Sequence, residues 1–169
     1  MKKVFSLALI LGLMFILIGC NNSKNSNVKE FTEKLISPST YEKITYENIE
    51  FNNYTDQCSI VFSEYCTENG FGTLMANRVP FLYQSIMNYN DIKNIKDIKI
   101  IETTSEDKGD YAYLAYEVSY TLQSDEKNIY MEDYLVFNIV KEQNSYLINK
   151  VSVINGKSSV IEVYKNIPK

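Results

Sequence analysis

The chain has 169 residues, with 17 basic and 21 acidic side chains and a formal net charge of -4. It contains neither histidine nor tryptophan, which excludes Ser-His-Asp and Cys-His nucleophile pairs and metal sites built on imidazole. Because 45% of the residues are hydrophobic and 13% are aromatic, the chain can build a core, and global disorder is excluded. The length fits one domain, with or without a targeting segment.

The first twenty residues have the pattern of a secretory signal. Lys2 and Lys3 form a short basic start, and residues 4–18 are apolar apart from Ser6 and Gly12. A helix needs about 20 apolar residues to cross a bilayer. We therefore interpret this shorter run as a signal, with a transmembrane anchor as the alternative.

The end of the apolar run carries the most specific motif of the chain. The segment Leu17–Cys20 resembles a bacterial lipobox, with an aliphatic residue, a small residue and then cysteine. The resemblance implies that Cys20 is alkylated by a diacylglycerol and that residues 1–19 are removed as a signal peptide. Two acyl chains supply the stable anchoring that one chain cannot. We expect an extracytoplasmic protein anchored to the cell membrane, unless an ordinary signal happens to end in cysteine.

The mature chain is more acidic than the whole. Removal of Lys2 and Lys3 leaves 15 basic against 21 acidic residues, for a charge of -6. Phosphate polymers repel such a protein, which argues against nucleic acid as a partner. The expected membrane contact is therefore the diacylglycerol on Cys20, not a basic patch.

The chain that follows Cys20 is first polar and then shows the signals of a helix. Residues 20–26 are predicted to form a lipidated, flexible tether that holds the folded domain, residues 27–169, away from the lipid. Asn27, with Glu30 three residues later, predicts the start of a helix, and Ser37-Pro38 predicts its end.

Three more helices are predicted before residue 94. Asn53 is a candidate cap for the second, although residues 58–62 alone also fit a strand. Thr67 is a candidate cap for the third, and Pro80 suits the first turn of the fourth. The segment 39–52 is ambiguous.

From about residue 94 the apolar period changes from that of a helix to that of a strand. Strands are predicted over 96–104, 111–122, 129–139 and 146–154, with a short final strand over 160–164. Strands of about 13 residues span about 40 Å and bend at bulges. We expect an α+β fold, in which N-terminal helices pack on a strongly bent, cone-like antiparallel sheet of four to five strands.

This order of elements resembles the nuclear transport factor 2-like (cystatin-like) superfamily over residues 27–154. The run 145–150 is similar to the aromatic-x-Ile pattern that often ends the sheet in such domains, with Tyr146 where tryptophan is common. Residues 67–71 and 76–78 also resemble a helical segment of some members. The resemblance implies either a binding module or an isomerase or dehydratase with an aspartate base and a tyrosine donor in its cavity.

Asp133 is the candidate base, because it lies on the otherwise apolar face of its predicted strand. A buried carboxylate must find donors or raise its pKa. Tyr116 and Tyr120, on the apolar face of the neighbouring strand, are the candidate donors. The alternative is a structural carboxylate at the strand bend or at the open rim of the cone.

The remaining candidate site residues are one arginine and two cysteines. Arg78 is the only arginine, and it either pairs with a carboxylate or binds an anionic ligand. Cys58 and Cys66 are about 12 Å apart along a straight helix, which is too far for a disulfide unless the helix breaks. We favour two separate thiols, and we predict no metal and no cofactor.

The opposite face of the predicted sheet is rich in tyrosine. Tyr111, Tyr113, Tyr130 and Tyr134 alternate onto the side assigned to solvent and are expected to form an interaction patch. Cross-strand aromatic pairs are the alternative. We expect contacts at this face and at the mouth of the cone.

The predicted function is that of a membrane-anchored binding or protein-interaction module, with an unidentified protein partner or small ligand. The alternatives are a cavity enzyme with Asp133 as its base and a subunit of an envelope secretion or conjugation assembly.

Overall fold

The structure is a computed structural model that describes residues 23–44, 51–143 and 145–168. Helices come first in the chain and precede a four-stranded sheet, so the α+β prediction is confirmed. The helices are α1 (Ser23–Ile36), α2 (Pro38–Tyr41), α3 (Phe51–Phe62), α4 (Glu68–Ala76), α5 (Val79–Tyr89) and the C-terminal α6 (Ser159–Lys165). The strands are β1 (Asn94–Asp107), β2 (Tyr111–Gln123), β3 (Asn128–Glu142) and β4 (Ser145–Val153).

The sheet is an antiparallel meander in the order β1-β2-β3-β4, and it does not close into a barrel. The β1–β2 register shifts between Lys96 and Lys99 and again between Glu102 and Thr104. A third shift, in the β3–β4 pair, lies between Asn138 and Ile139. Bulges of this kind bend long strands and increase their twist, which gives the sheet its concave side.

The concave side holds the core. The inward-facing positions of β2 and β3 are buried, as their alternation predicts: Ala112, Leu114, Tyr116, Val118, Tyr120 and Leu122, then Met131, Asp133, Leu135, Phe137 and Ile139. Phe31 of α1 lies across this face, with its ring centroid 6.0 Å from that of Phe137 and 5.5 Å from that of Phe62. The described helices therefore pack their side chains against the concave side.

Several local predictions about the helices are confirmed. The Thr67 side chain caps α4 by accepting a hydrogen bond from the Gly70 amide at 2.9 Å. Pro80 lies in the first turn of α5, and the first helix ends before Ser37-Pro38. Residues 58–62 are helical, followed by a short 3-10 turn at Ser63–Tyr65. None of the helices in the described ranges is long and apolar enough to cross a membrane.

The predicted start of the first helix is wrong. Helix α1 begins at Ser23, so residues 23–26 are helical and do not belong to a flexible tether. Asn27 lies inside the helix, where its amide donates to the carbonyls of Tyr65 at 3.2 Å and Tyr146 at 2.8 Å. The Asn27 side chain, which the sequence pattern predicts at the helix start, therefore forms tertiary hydrogen bonds instead.

The predicted start of the second helix is also wrong, since Asn53 lies inside α3. Part of the ambiguous segment 39–52 belongs to α2 and α3, and its residues 45–50 lie outside the described residues.

The predicted final strand over 160–164 is a helix, α6. Val160 is fully buried, and the Tyr164 ring lies 6.1 Å from the ring of Phe81 on α5. Val160 and Tyr164 are four residues apart and share one face in either a helix or a strand. A helix places them only about 6 Å apart along its axis, whereas a strand separates them by about 13 Å, so the helix brings both against the same part of the core. Helix α6 therefore packs over the concave side between β3 and α5.

The free edge of β4 is covered by the turn before α4. The Thr67 amide donates to the Ile148 carbonyl at 3.0 Å, and Cys66 forms a parallel bridge with Ile148. A Cβ atom at Gly70 would overlap the Ile148 carbonyl oxygen, so only glycine allows α4 this close to the strand.

Candidate functional site

Asp133 is the centre of a buried polar cluster on the concave side of the sheet. Its side chain is 2% exposed. The Tyr120 hydroxyl donates to Oδ2 at 2.7 Å, and the Tyr83 hydroxyl donates to the same oxygen at 3.2 Å. The Val160 amide donates to Oδ1 at 2.9 Å. Both carboxylate oxygens thus accept hydrogen bonds from the protein itself.

Burial dominates the electrostatics of this cluster. Loss of solvent raises the pKa of Asp133, although the hydrogen bonds from Val160, Tyr120 and Tyr83 oppose the shift. Burial and the neighbouring Asp133 charge raise the pKa values of Tyr83 and Tyr120 well above their usual range. The two hydroxyls therefore stay protonated and act as donors.

One of the two predicted tyrosine donors is correct. Tyr120 contacts Asp133, but the Tyr116 hydroxyl lies elsewhere, where its single proton can be donated to the Glu102 carboxylate at 3.1 Å or to the Asn25 side-chain oxygen at 3.2 Å. The second donor, Tyr83, was missed because it lies 50 residues before Asp133. The sequence does place Tyr83, an aromatic residue with a polar hydroxyl, on the same helical face as Ile86. Core packing explains that position equally well, so the pattern did not single out Tyr83 as a donor.

The cluster joins four elements of the fold. Its members come from α5, β2, β3 and α6, and α6 is also tied to the backbone of β3. The Tyr134 amide donates to the Ser158 hydroxyl at 3.0 Å, and the Glu132 amide donates to the Ser159 hydroxyl at 3.0 Å. A substrate at the Asp133 carboxylate would have to displace donors that hold the C-terminal helix in place. This geometry favours a structural role for the cluster.

A groove of about 490 Å³ lies on the convex side of the sheet. It is lined by the outward-facing residues Ile101, Glu117, Ser119, Glu132, Tyr134 and Lys157, and it is bordered by Val118 and Asp133, whose side chains point to the concave side. Ile101 is 55% exposed, and the Lys157 ammonium lies 4.7 Å from the centroid of the half-buried Tyr134 ring. Two apolar surfaces are thus framed by two carboxylates and one ammonium group.

The four outer tyrosines do not form the single patch that was predicted. Tyr111 and Tyr113 touch edge to face, with ring centroids 5.7 Å apart. Tyr113 pairs with Asn138, which is eight residues along β3 from Tyr130 and therefore about 26 Å away. Tyr134 lies between these positions, at the groove. The convex side thus has an aromatic pair at one end and Tyr130 at the other.

Of the two roles expected for Arg78, the pair with a carboxylate is not seen among the described residues. Arg78 is exposed, adopts a left-handed conformation with φ of 54° before α5, and forms no ion pair within the described ranges. Its position at a sharp turn between two helices explains why its side chain points away from the core.

Cys58 and Cys66 are separate, buried thiols, as favoured from the sequence. Burial raises the pKa of Cys58 to about 11 and that of Cys66 to about 12, so both thiols stay protonated at neutral pH. The described part of the chain holds no group of three metal-ligating side chains. Cys20 lies outside the described residues.

Comparisons with known proteins identify no family. No protein-family model matches the chain, and no curated protein matches it. A solved structure of a protein of unknown function from Mycobacterium tuberculosis is similar, with 8% identity and a TM-score of 0.45 over 84% of this chain and 86% of that one.

Proposed function

We propose that this protein is an extracytoplasmic lipoprotein, anchored through Cys20, whose nuclear transport factor 2-like domain binds a protein partner on the convex side of its sheet. The observation that carries the proposal is the contrast between the two sides. Among the described residues, helices cover the concave side, whereas the convex side exposes Ile101, Tyr111, Tyr113 and Tyr130 and has a groove between them.

The chemistry of the groove describes the partner. Ile101 and Tyr134 offer an apolar floor, and Glu117 and Glu132 place negative charge beside it. A peptide segment that inserts an apolar side chain and brings a basic residue alongside satisfies both features. Tyrosine at such a surface combines contact area with a polar tip.

Binding is a better proposal than catalysis for this fold. The candidate base Asp133 is 2% exposed, and donors of its own chain bond to both of its oxygens. A general base needs reach to a substrate proton in a plausible pose. Asp133 attains that reach only if α6 or Tyr83 moves.

The anchor is tested in cells by labelling with a radioactive fatty acid. We expect Cys20→Ala to lose the label and to leave the membrane fraction. Cys58→Ala is the matched control, because that thiol is buried in the domain and should not affect labelling. Undiminished label on the Cys20→Ala variant would remove the anchor from the proposal.

The binding surface is tested by placing a photo-crosslinking amino acid at Ile101, in the groove, and at Glu33, exposed on α1. A partner should be captured from Ile101 and not from Glu33. A further variant carries the crosslinker at Tyr130 together with Ile101→Ser. We expect it to capture less of the partner than a chain with the crosslinker at Tyr130 and the wild-type Ile101. Equal capture from both positions would show that the convex side is not the site. The captured protein also decides whether the chain is a subunit of an envelope assembly.

A further inference from the structure

The distance between the lipidated residue and the folded domain is set by where α1 begins. The helix starts at Ser23, three residues after Cys20. An extended chain covers at most about 3.6 Å per residue, so three residues reach about 11 Å. The domain therefore cannot be held far from the lipid.

The beginning of α1 lies at one end of the sheet. The Lys24 ammonium pairs with the carboxylate of Asp107, the last residue of β1, at 2.7 Å. One turn later, the Asn27 amide donates to the carbonyl of Tyr146, near the start of β4. We call this end of the sheet, which holds the β1–β2 and β3–β4 connections, the hairpin end. The opposite end holds the turn 123–128.

The sheet is much longer than the connection to the anchor. Strand β2 has 13 residues, which span about 40 Å at about 3.3 Å per residue. A connection of about 11 Å from the hairpin end cannot carry the lipid to the opposite end. One end of the domain is thus fixed beside the bilayer.

We propose that the hairpin end faces the membrane and that Tyr111 and Tyr113 contact the lipid interface. This orientation rests on the proposed lipidation of Cys20. The two tyrosines stand immediately after the hairpin turn, and their side chains are 42% and 46% exposed. Tyrosine favours the boundary between apolar chains and water, because its ring is apolar and its hydroxyl is polar.

Electrostatic attraction does not hold the hairpin end against the lipid head groups. The β1–β2 and β3–β4 connections and the strand residues beside them carry four acidic and two basic side chains: Glu106, Asp107, Asp110 and Glu142, with Lys108 and Lys141. Lys24 neutralises Asp107, and the remaining surplus is acidic. Attraction to anionic head groups is therefore not expected, and the contact should depend little on salt.

The orientation leaves the groove accessible. Tyr134, which lines the groove, is six residues along β3 from Val140, the partner of Tyr111. Six residues correspond to about 20 Å. A protein partner can thus reach the groove while the hairpin end rests on lipid.

Tryptophan fluorescence tests the orientation, because the chain contains no tryptophan. The variants are Tyr111→Trp at the hairpin end and Tyr130→Trp on the same face near the opposite end, where the wild-type tyrosine is 61% exposed. Each lipidated protein is reconstituted into phosphatidylcholine vesicles with ordinary or brominated acyl chains. Tyr113→Trp provides a second reporter at the hairpin end.

We expect brominated chains to reduce the emission of the Tyr111→Trp variant about twofold, with a blue shift, because tryptophan seeks the same interface. The emission of the Tyr130→Trp variant should not change. Ten Gly and Ser residues inserted between Asn22 and Ser23 should weaken the difference.

Two failures are distinguishable. Equal quenching of the two variants, or stronger quenching of Tyr130→Trp, overturns the orientation while the anchor stands. Protein that carries no acyl chain by mass spectrometry and does not sediment with vesicles overturns the anchor, and the orientation with it.

Discussion

The two faces of strand β2 use the same residue type for different purposes. Tyr116 and Tyr120 point to the concave side, where they are buried and donate hydrogen bonds to Glu102 and Asp133. Tyr113, on the convex side, is 46% exposed. Composition alone gives 14 tyrosines without distinguishing these roles. The side of the sheet decides whether a tyrosine stabilises the fold or is available for binding.

The same contrast separates two adjacent carboxylates of β3. Asp133 is buried and accepts three hydrogen bonds, whereas Glu132 is exposed and accepts one from the Tyr130 hydroxyl at 2.7 Å. Substitutions on the two sides of the sheet should therefore change the free energy of unfolding by different amounts, and sometimes in opposite directions.

The largest difference is expected between Asp133→Ala and Glu132→Ala. Removal of Asp133 leaves two hydroxyls and one amide without an acceptor, and each buried unsatisfied group costs about 1–3 kcal/mol. We expect the free energy of unfolding to fall by about 3–4 kcal/mol for Asp133→Ala and by less than about 0.5 kcal/mol for Glu132→Ala. Urea denaturation measures both. Similar small losses in the two variants would remove the structural role of Asp133.

The covered edge of the sheet extends the comparison to a third surface. Gly70→Ala places a methyl group against the Ile148 carbonyl, whereas Gly72→Ala, in the same helix, meets no neighbouring atom. We expect a loss of about 2–3 kcal/mol for the first and a gain of up to about 1 kcal/mol for the second. Thermal unfolding of the pair checks the sign of each effect. Two changes of equal sign would contradict the close packing of α4 on β4.

A smaller effect should separate two tyrosine hydroxyls. Tyr120→Phe removes a donor to the buried Asp133, while Tyr113→Phe removes a hydroxyl from an exposed side chain. We expect losses of about 1–2 kcal/mol and about 0 kcal/mol, respectively. Equal unfolding midpoints in urea would mean that Tyr83 and Val160 alone satisfy Asp133.

The smallest effect is a pH dependence confined to the buried carboxylate. Burial raises the folded-state pKa of Asp133 above its ordinary value of 3.8. The folded state then binds the Asp133 proton more tightly than the unfolded state does. The resulting stabilisation is fully present below pH 3.8 and is lost as the pH rises through the folded-state pKa. The stability of the wild type relative to Asp133→Asn should therefore decline with rising pH across that window. Urea unfolding from about pH 3 to about pH 8 measures it, and a relative stability that rises with pH would contradict the raised pKa.

Much of the fold follows from local patterns in the sequence. The two-residue alternation in β2 and β3 assigns each side chain to a face of the sheet, and the structure buries the predicted face. Thr67 and Pro80 mark helix starts because their side chains satisfy or dispense with a backbone donor near the helix start. The spacing of Cys20 from Ser23 is also a property of the sequence.

Tertiary structure decided the features that depend on distant partners. Asn27 became an interior helix residue because Tyr65 and Tyr146 supply acceptors for its amide. The segment 160–164 became a helix because a site between β3 and α5 buries Val160. Tyr83 reaches Asp133 only after 50 residues of chain have folded between them. Local sequence encodes which backbone conformations are favourable, but the partner of a buried polar group is fixed only when packing brings the two together and removes water from both.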